Sequence, residues 1–168
     1  MAARSLADRF MLALPALVAL LLMLLVAAPW HLSDLPLKPH VLWLMTITFG
    51  VAYPAAWPLL TAFLLGLVAD TLSGTPLGAQ ALVTVLMALG LRGGQARRMQ
   101  HQLFRIRWAE SIASLLVLHL MLWGIVAWMG EASLPLRPVL VAVAVNVTWY
   151  PLFYLLSEGL VRLLPPKG

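Results

Sequence analysis

The chain has 168 residues, of which 62% are hydrophobic and only 10% are charged, and its mean hydropathy is +0.95. Soluble domains carry about one-quarter charged residues, so this composition excludes an ordinary soluble domain and indicates an integral membrane protein with room for a single bundle. The formal net charge is +5. Because the basic residues lie between apolar segments, membrane topology explains them better than nucleic-acid binding. The absence of cysteine excludes disulfides and thiolate chemistry.

Charge-free apolar segments predict an all-α bundle of six membrane spans. The first run, at about 10–28, is long enough to cross a bilayer of about 30 Å, and Pro29 follows where a signal peptidase site would be expected, so we interpret it as a retained span. The run at 41–69 is too long for one span, and the prolines and aromatic residues at 53–58 predict a turn that divides it. The predicted spans are residues 10–28, 41–53, 57–70, 76–91, 109–129 and 138–163.

The distribution of Lys and Arg favours six spans over five. With six spans, both termini and the loop at 92–108 share one side, which then holds nine of the eleven basic residues when both N-terminal arginines are counted. Merging the third and fourth spans would place that five-arginine loop opposite the N-terminus. Basic loops favour the cytoplasm, so we expect both termini to be cytoplasmic. Most of the seven tryptophans fall near span ends, as expected for interfacial aromatic belts.

Asp70 is the only charged residue between Lys38 and Arg92. A lone carboxylate at membrane depth is costly and is therefore a candidate functional residue. Ala62, Gly66 and Asp70 recur every four residues, so they share one helix face, and the small residues on that face allow a neighbouring helix to approach closely. We expect the carboxylate to point into a helix contact toward the outer side of the membrane.

The residues after Asp70, Leu-Ser-Gly-Thr-Pro-Leu-Gly, are typical of a turn followed by a helix start. Thr75 is the expected N-cap of the next helix, with Pro76 at its first position. Two interpretations of Asp70 stay open. The carboxylate either holds the turn by accepting hydrogen bonds from free amides around Leu77 and Gly78, or it forms a site for a ligand, a proton or an ion.

Polar residues in the last span are interpreted mainly as structural. We expect Asn146 to form a hydrogen bond between helices, with a substrate contact as the alternative. Pro151 leaves the carbonyl of Val147 without its helical donor, which either Thr148 or a neighbouring helix could replace.

The sequence gives no positive evidence for catalysis. We expect Glu110 to pair locally with Arg105 or Arg107, and His119 to be a hydrogen-bonded packing residue. The histidines at 31, 40, 101 and 119 lack a metal-binding spacing, and no Ser–His–Asp arrangement or phosphate-binding glycine loop is apparent. We therefore predict no catalytic residue, no metal and no cofactor.

Residues 66–82, Gly-Leu-Val-Ala-Asp-Thr-Leu-Ser-Gly-Thr-Pro-Leu-Gly-Ala-Gln-Ala-Leu, resemble the signature of MreD, a family of rod shape-determining membrane proteins of bacteria. Residues 37–42 and the segment Asn-Val-Thr-Trp-Tyr-Pro at 146–151 agree with the family in order and spacing. The resemblance implies that a set of positions in this chain has a structural or partner-contact role. These positions are Gly66, Asp70, Gly74, Pro76, Gly78, Asn146 and Pro151.

The resemblance also implies a function that no residue pattern shows. MreD-like proteins are non-enzymatic, multi-pass proteins of the bacterial inner membrane that act with MreC, a bitopic periplasmic scaffold. Their elongation machinery also holds the RodA glycosyltransferase, a class B penicillin-binding transpeptidase and, indirectly, MreB filaments. The implied role is a lipid-embedded scaffold for rod shape and lateral peptidoglycan synthesis, without a nucleic-acid partner.

A transport function is the alternative, because the MreD family resembles the six-helix substrate-binding subunits of energy-coupling-factor vitamin transporters. A binding subunit of this kind predicts an outward cavity lined by polar or aromatic side chains. The outer segments offer few candidates, namely His31, Asp34, His40, Asp70, Gln80 and Glu131. The small residues of the first span recur every three residues, whereas the docking residues of such subunits recur every four. A membrane enzyme ranks third.

Overall fold

The computed structural model describes residues 6–28, 38–92, 104–129 and 135–164, and all regular structure within these ranges is helical. Six α-helices are present there, with a 3₁₀-helix, Pro54–Ala56, between the second and the third. The α-helices are α1 (Leu6–Ala27), α2 (Val41–Ala52), α3 (Leu59–Ser73), α4 (Ala79–Arg92), α5 (Phe104–Trp128) and α6 (Leu136–Val161). The predicted all-α fold is thus confirmed for the described residues.

The helices differ widely in length. Helices α5 and α6, with 25 and 26 residues, are long and apolar enough to cross a membrane. Helices α2, α3 and α4 have 12, 15 and 14 residues, so each is only about 18–22 Å long. A hydrocarbon layer of about 30 Å exceeds that length, so these apolar helices need either a thinner bilayer or cover from their neighbours. Their assignment as membrane spans stays a prediction.

Helix α2 occupies the centre of the bundle and contacts α1, α3, α4 and α6. Every residue from 41 to 51 is buried, which is the pattern of a core helix that is apolar on all sides. The buried hydroxyls of Thr46 and Thr48 donate to backbone carbonyls one turn earlier, at 2.7 and 2.9 Å. The indole N–H of Trp57 then donates to Thr46 Oγ1 at 3.1 Å, which ties the linker between α2 and α3 to the central helix.

Two tryptophans that an aromatic belt would place at the lipid interface are instead buried in the core. Trp43 is 0% and Trp57 is 1% exposed. Both belong to α2 or to the linker that follows it, and the surrounding helices cover these segments. The aromatic-belt interpretation is therefore wrong for these two residues.

Helices α3 and α4 pack backbone against backbone. A Cβ atom added at Gly66 would overlap the Cα atom of Ala81, so only glycine fits at this contact. Ala62 and Asp70, one turn on either side of Gly66, are also completely buried. The face of α3 with small residues every four positions is thus covered, and the close approach brings the end of α3 next to the start of α4.

We expect Gly66→Ala to lower the thermal unfolding temperature of the purified protein in detergent, because the added methyl group must displace backbone at a cost of about 1–3 kcal/mol. Gly124→Ala is the matched control, since its added Cβ meets no described atom within 4 Å and alanine is the better helix former. Equal unfolding temperatures for the two variants would contradict the close contact.

Candidate functional site: the Asp70 turn and the buried polar contacts

Asp70 lies in the last turn of α3 with 0% of its surface exposed, and its carboxylate accepts four hydrogen bonds from the turn and the start of α4. Oδ1 accepts from the Thr75 hydroxyl at 2.8 Å and from the Gln80 backbone N–H at 2.9 Å. Oδ2 accepts from the Gly78 backbone N–H at 2.8 Å and from that of Ala81 at 3.5 Å. The acid therefore supplies acceptors to backbone amides that α4 leaves free at its N-terminus.

Two glycines in left-handed conformations make this geometry possible. Gly74 ends α3 with φ 68°, and Gly78 turns the chain into α4 with φ 96°. The N–H groups of Gly74 and Thr75 both return to the backbone carbonyl of Asp70. A side chain at either glycine would be strained at these angles. Asp70 thus closes the end of α3 with its carbonyl and the start of α4 with its carboxylate.

Helix α4 begins at Ala79, three residues after the predicted start. Pro76 lies in the turn, where its carbonyl accepts from the Ala79 N–H at 3.0 Å. The expected N-cap role of Thr75 is wrong, because the Thr75 hydroxyl donates to Asp70 rather than accepting from an amide of α4. The positive φ of Gly78 sets the helix start, and the carboxylate of Asp70 does the capping from the preceding helix.

Gln80 belongs to the same network, although the sequence suggested it only as a polar residue near the outer side. Its buried side-chain amide donates to Thr75 Oγ1 at 3.0 Å and to the carbonyl of Ala69 at 3.3 Å. The Thr75 hydroxyl in turn donates to Asp70, so the side chains of Gln80 and Thr75 form a chain of hydrogen bonds that ends at the carboxylate. A polar side chain in the first turn of an apolar helix, close to a lone acid, is the signal that could have identified Gln80.

The geometry at Asp70 is that of a turn held together by its acid. The donors that reach both carboxylate oxygens come from the chain itself, so the carboxylate is already paired within the described residues. Whether the turn also contacts a partner stays a prediction. The loss of any of these donors would weaken the pairing of a buried carboxylate, which is costly in an apolar environment.

Asn146 connects α6 to the residue that precedes α2. Its fully buried side chain accepts from the His40 backbone N–H at 2.7 Å through Oδ1 and donates to the Ala142 carbonyl at 2.7 Å through Nδ2. The bond to His40 links segments 106 residues apart in sequence. Both ends of the amide are thus paired within the fold, which is the arrangement of an interhelical hydrogen bond.

A cluster of His40, Trp43 and His119 packs beside this contact. His40 stacks on Trp43 with ring centroids 4.7 Å apart, and the His119 ring stands edge-on to both. The Leu115 carbonyl lies 2.7 Å from His119 Nδ1, so Nδ1 carries a proton. His119 Nε2 and Trp43 Nε1 are buried without a hydrogen-bond partner in the described structure. His119 is a packing residue with one hydrogen bond, and the described residues contain no metal-binding group of three His, Cys, Asp or Glu.

A neighbouring helix satisfies the carbonyl that Pro151 leaves free. The indole N–H of Trp108 on α5 donates to the Val147 carbonyl at 3.2 Å. Thr148, the other candidate donor, bonds the Ala144 carbonyl instead, at 2.9 Å. The carbonyl that Pro151 leaves free on α6 therefore accepts the hydrogen bond that links α5 to α6.

The cytoplasmic ends of α5 and α6, in the predicted orientation, meet at a charged cluster. Arg107 pairs with Glu158 at 3.8 Å, and its guanidinium carbon lies 5.5 Å from the centroid of the Tyr154 ring. Glu110 Oε2 is buried and has no hydrogen-bond partner in the part of the chain that the structure describes. The expected local pairing of Glu110 with Arg105 or Arg107 stays a prediction.

These features define the class of protein: an all-helical bundle with candidate membrane-spanning helices, whose buried polar residues bind its own backbone. A family model described as rod shape-determining protein MreD matches residues 4–163 of the chain. The chain therefore belongs to the MreD family of membrane proteins, and the resemblance seen at 66–82 is confirmed. No curated protein and no solved structure matches the chain.

Substitutions around Asp70 should destabilise the protein in a graded order. Asp70→Ala leaves the donors of Thr75, Gly78 and Gln80 without an acceptor, at about 1–3 kcal/mol each, so we expect the largest fall in unfolding temperature. Asp70→Asn keeps one acceptor oxygen and should be intermediate. Thr75→Ala removes one donor and should cost the least. Thermal unfolding in detergent would measure the order, and an Asp70→Ala protein as stable as the wild type would contradict the hydrogen-bonded turn.

A double-mutant cycle should show that Trp108 and Pro151 are coupled. We expect Trp108→Phe to cost about 1 kcal/mol, because the Val147 carbonyl loses its donor. In a Pro151→Ala background the restored backbone N–H can bond Val147, so the same substitution should cost less. The cycle cancels the packing that Trp108 loses in both backgrounds. Strictly additive changes in unfolding free energy would show that the indole does not serve this carbonyl.

Proposed function

We propose that this chain is a non-enzymatic scaffold of the bacterial inner membrane that supports rod shape and lateral peptidoglycan synthesis by binding an MreC-like bitopic protein. The family match over residues 4–163 carries this proposal, because the description of that family is rod shape determination. Through the bitopic protein, the scaffold would meet a RodA-type glycosyltransferase, a class B penicillin-binding transpeptidase and, indirectly, MreB filaments. The scaffold role and these partners go beyond the family match.

The buried polar residues support a scaffold, since they hold helices together. The carboxylate of Asp70 joins α3 to α4, and the amide of Asn146 joins α6 to the start of α2. Each side chain is paired with backbone groups of the chain itself, so neither has the free, inward-facing donors and acceptors that orient a small ligand. A scaffold needs this rigidity because partner helices must meet a fixed surface.

The transport alternative needs an outward cavity, and the described residues offer little room there. The outer ends of α1, α2, α3 and α4 enclose about 70 Å³, next to His40 and Gln80. That volume corresponds to about two water molecules, whereas sites for small molecules occupy roughly 300–1,000 Å³. The proposed likeness to vitamin-binding subunits therefore concerns the helical architecture, and we favour the scaffold.

The proposed topology is multi-pass, with both termini and the basic loop at 92–108 in the cytoplasm. The distribution of Lys and Arg supports this orientation. In this orientation the Asp70 turn faces the outer side. The linker at Tyr53–Pro58 then shares the inner side with Arg92, which is consistent with the 3.0 Å hydrogen bond from the Arg92 guanidinium to the Trp57 carbonyl.

Depletion of the protein in its source cell should convert rods to round cells, and expression of the wild type should restore rods. Asp70→Ala should fail to restore rods. Thr71→Ala is the matched control from the same turn, because Thr71 is exposed and its hydroxyl bonds only the Val68 carbonyl one turn earlier, so it should rescue fully.

Protein levels distinguish the causes of failure in this experiment. A normal amount of non-functional Asp70→Ala protein would indicate a partner contact at the turn, whereas loss of the protein would indicate a purely structural role. Unchanged cell shape on depletion, with growth that comes to need an added nutrient, would contradict the scaffold and favour transport.

A further inference from the structure

Helices α3 and α4 present a face of large apolar side chains to the surroundings of the protein. On α3, Leu60 and Leu64 are 67% and 51% exposed. On α4, Leu82 and Leu89 are 51% and 48% exposed. Gly66, the small residue of α3 in close contact, faces α4 instead. Contacts between membrane helices are rich in small residues, whereas lipid tails are as apolar as leucine. Because the chain belongs to a family of membrane proteins, we expect lipid acyl chains to cover this face.

The Asp70 turn fixes the outer end of this face. Helix α3 ends at Ser73, which is an exposed polar residue. The N–H groups of Thr75 and Gly78 bond the carbonyl and the carboxylate of Asp70, so the turn folds back against the end of α3. Leu77, the leucine of this turn, is therefore held near the level of that end and adds little to the height of the apolar face.

A guanidinium fixes the inner end of the face. Arg92 is the exposed last residue of α4, and its guanidinium donates to the Trp57 carbonyl at 3.0 Å, next to Pro58 at the start of α3. Arginine side chains often extend along an apolar surface and so carry their charge to the membrane interface. Here the hydrogen bond holds the charge at the linker, so water or lipid headgroups must reach the ends of both helices.

The distance between these polar ends is smaller than the thickness of an ordinary hydrocarbon layer. Helices α3 and α4 have 15 and 14 residues, so this side of the bundle is about 21–23 Å high. On α6, the uncharged residues 138–157 separate Arg137 from Glu158, which gives about 30 Å, the usual thickness of that layer. Tilt would only reduce the height of α3 and α4, and the described helices leave their outer faces exposed, so the bilayer has to be thinner there.

We propose that the membrane is thinned by about 8 Å along the α3–α4 face, where lipids with short or compressed acyl chains contact the protein. The α6 side fits a bilayer of ordinary thickness, so the thinning is confined to one side of the bundle. This inference rests on the proposed topology, in which α3 and α4 are separate spans, and it does not use the scaffold role.

Cysteine labelling of the purified protein, in nanodiscs of lipids with ordinary acyl chains, measures the thickness, because the chain has no native cysteine. Pro58→Cys and Ser73→Cys, made singly, place exposed thiols at the two ends of α3, about 22 Å apart. Thiols at this distance both reach water only where the hydrocarbon layer is thinner than about 30 Å. Both should react with a charged maleimide at rates within about threefold of those in the unfolded protein.

Leu140→Cys and Leu155→Cys on α6 are the matched controls, because these positions are also 15 residues apart and are 60% and 66% exposed. They lie within the uncharged part of α6, so both should react at least about tenfold more slowly than Ser73→Cys. A slow reaction at Pro58→Cys or Ser73→Cys would show that a polar end of α3 lies within hydrocarbon and would overturn the inference. Fast reaction at all four positions would contradict thinning that is confined to one side.

Photo-cross-linking provides a second test that leaves the ends of α3 unchanged. A diazirine amino acid is placed at Leu64 on α3 or at Leu140 on α6, in nanodiscs with equal amounts of lipids of about 14 and about 20 carbons per chain. We expect phospholipid adducts at both positions, with a ratio of short to long lipid that is at least about twofold higher at Leu64. Equal ratios at the two positions would overturn the local thinning.

The same label at Leu64 in the source cell distinguishes lipid from protein as the occupant of this face. Adducts with the mass of a phospholipid are expected. A protein adduct as the main product would show that a partner covers the face and would overturn the inference. The rounding of cells on depletion does not depend on this result, so the scaffold role and the thinned membrane can fail independently.

Discussion

The structure depends on the burial of one carboxylate. Asp70 has no contact with solvent, so both of its oxygens need donors from the chain, and the nearest unused donors are the first amides of the next helix. This requirement ends α3, reverses the chain within a few residues and starts α4 beside the acid. The same reversal brings Gly66 against Ala81, so the close packing of the two helices and the pairing of the acid support each other.

The α3–α4 pair in turn helps to enclose α2, a 12-residue helix that is too short to span a bilayer of about 30 Å unaided. Two polar contacts fix the ends of this enclosure. Asn146 holds the residue before α2, and Arg92 bonds the carbonyl of Trp57 in the linker after it. A bundle with a rigid centre presents constant outer surfaces, which is the property that a scaffold for other membrane proteins requires.

The local part of this arrangement could be predicted from the sequence, whereas its long-range part could not. A single acid between two apolar runs, followed by Ser-Gly-Thr-Pro, predicts a turn with an acid that needs donors, because both signals lie within a few residues. The burial of Trp43 and the bond from Trp108 to Val147 depend on which helices become neighbours. Composition and spacing do not determine neighbours in a chain that is apolar on every side. The start of α4 at Ala79 depends on the positive φ of Gly78, whereas the proline at 76 suggested an earlier helix start.

Hydrogen exchange at the backbone amides of Gly78 and Gln80, measured by NMR on the protein in lipid nanodiscs, tests the buried carboxylate most directly. We predict that both amides exchange far more slowly than exposed turn amides, and that both become fast in the Asp70→Ala variant, in which both acceptor oxygens are lost. Fast exchange at both amides in the wild-type protein would show that the carboxylate does not hold the turn, which would contradict its central role in the fold.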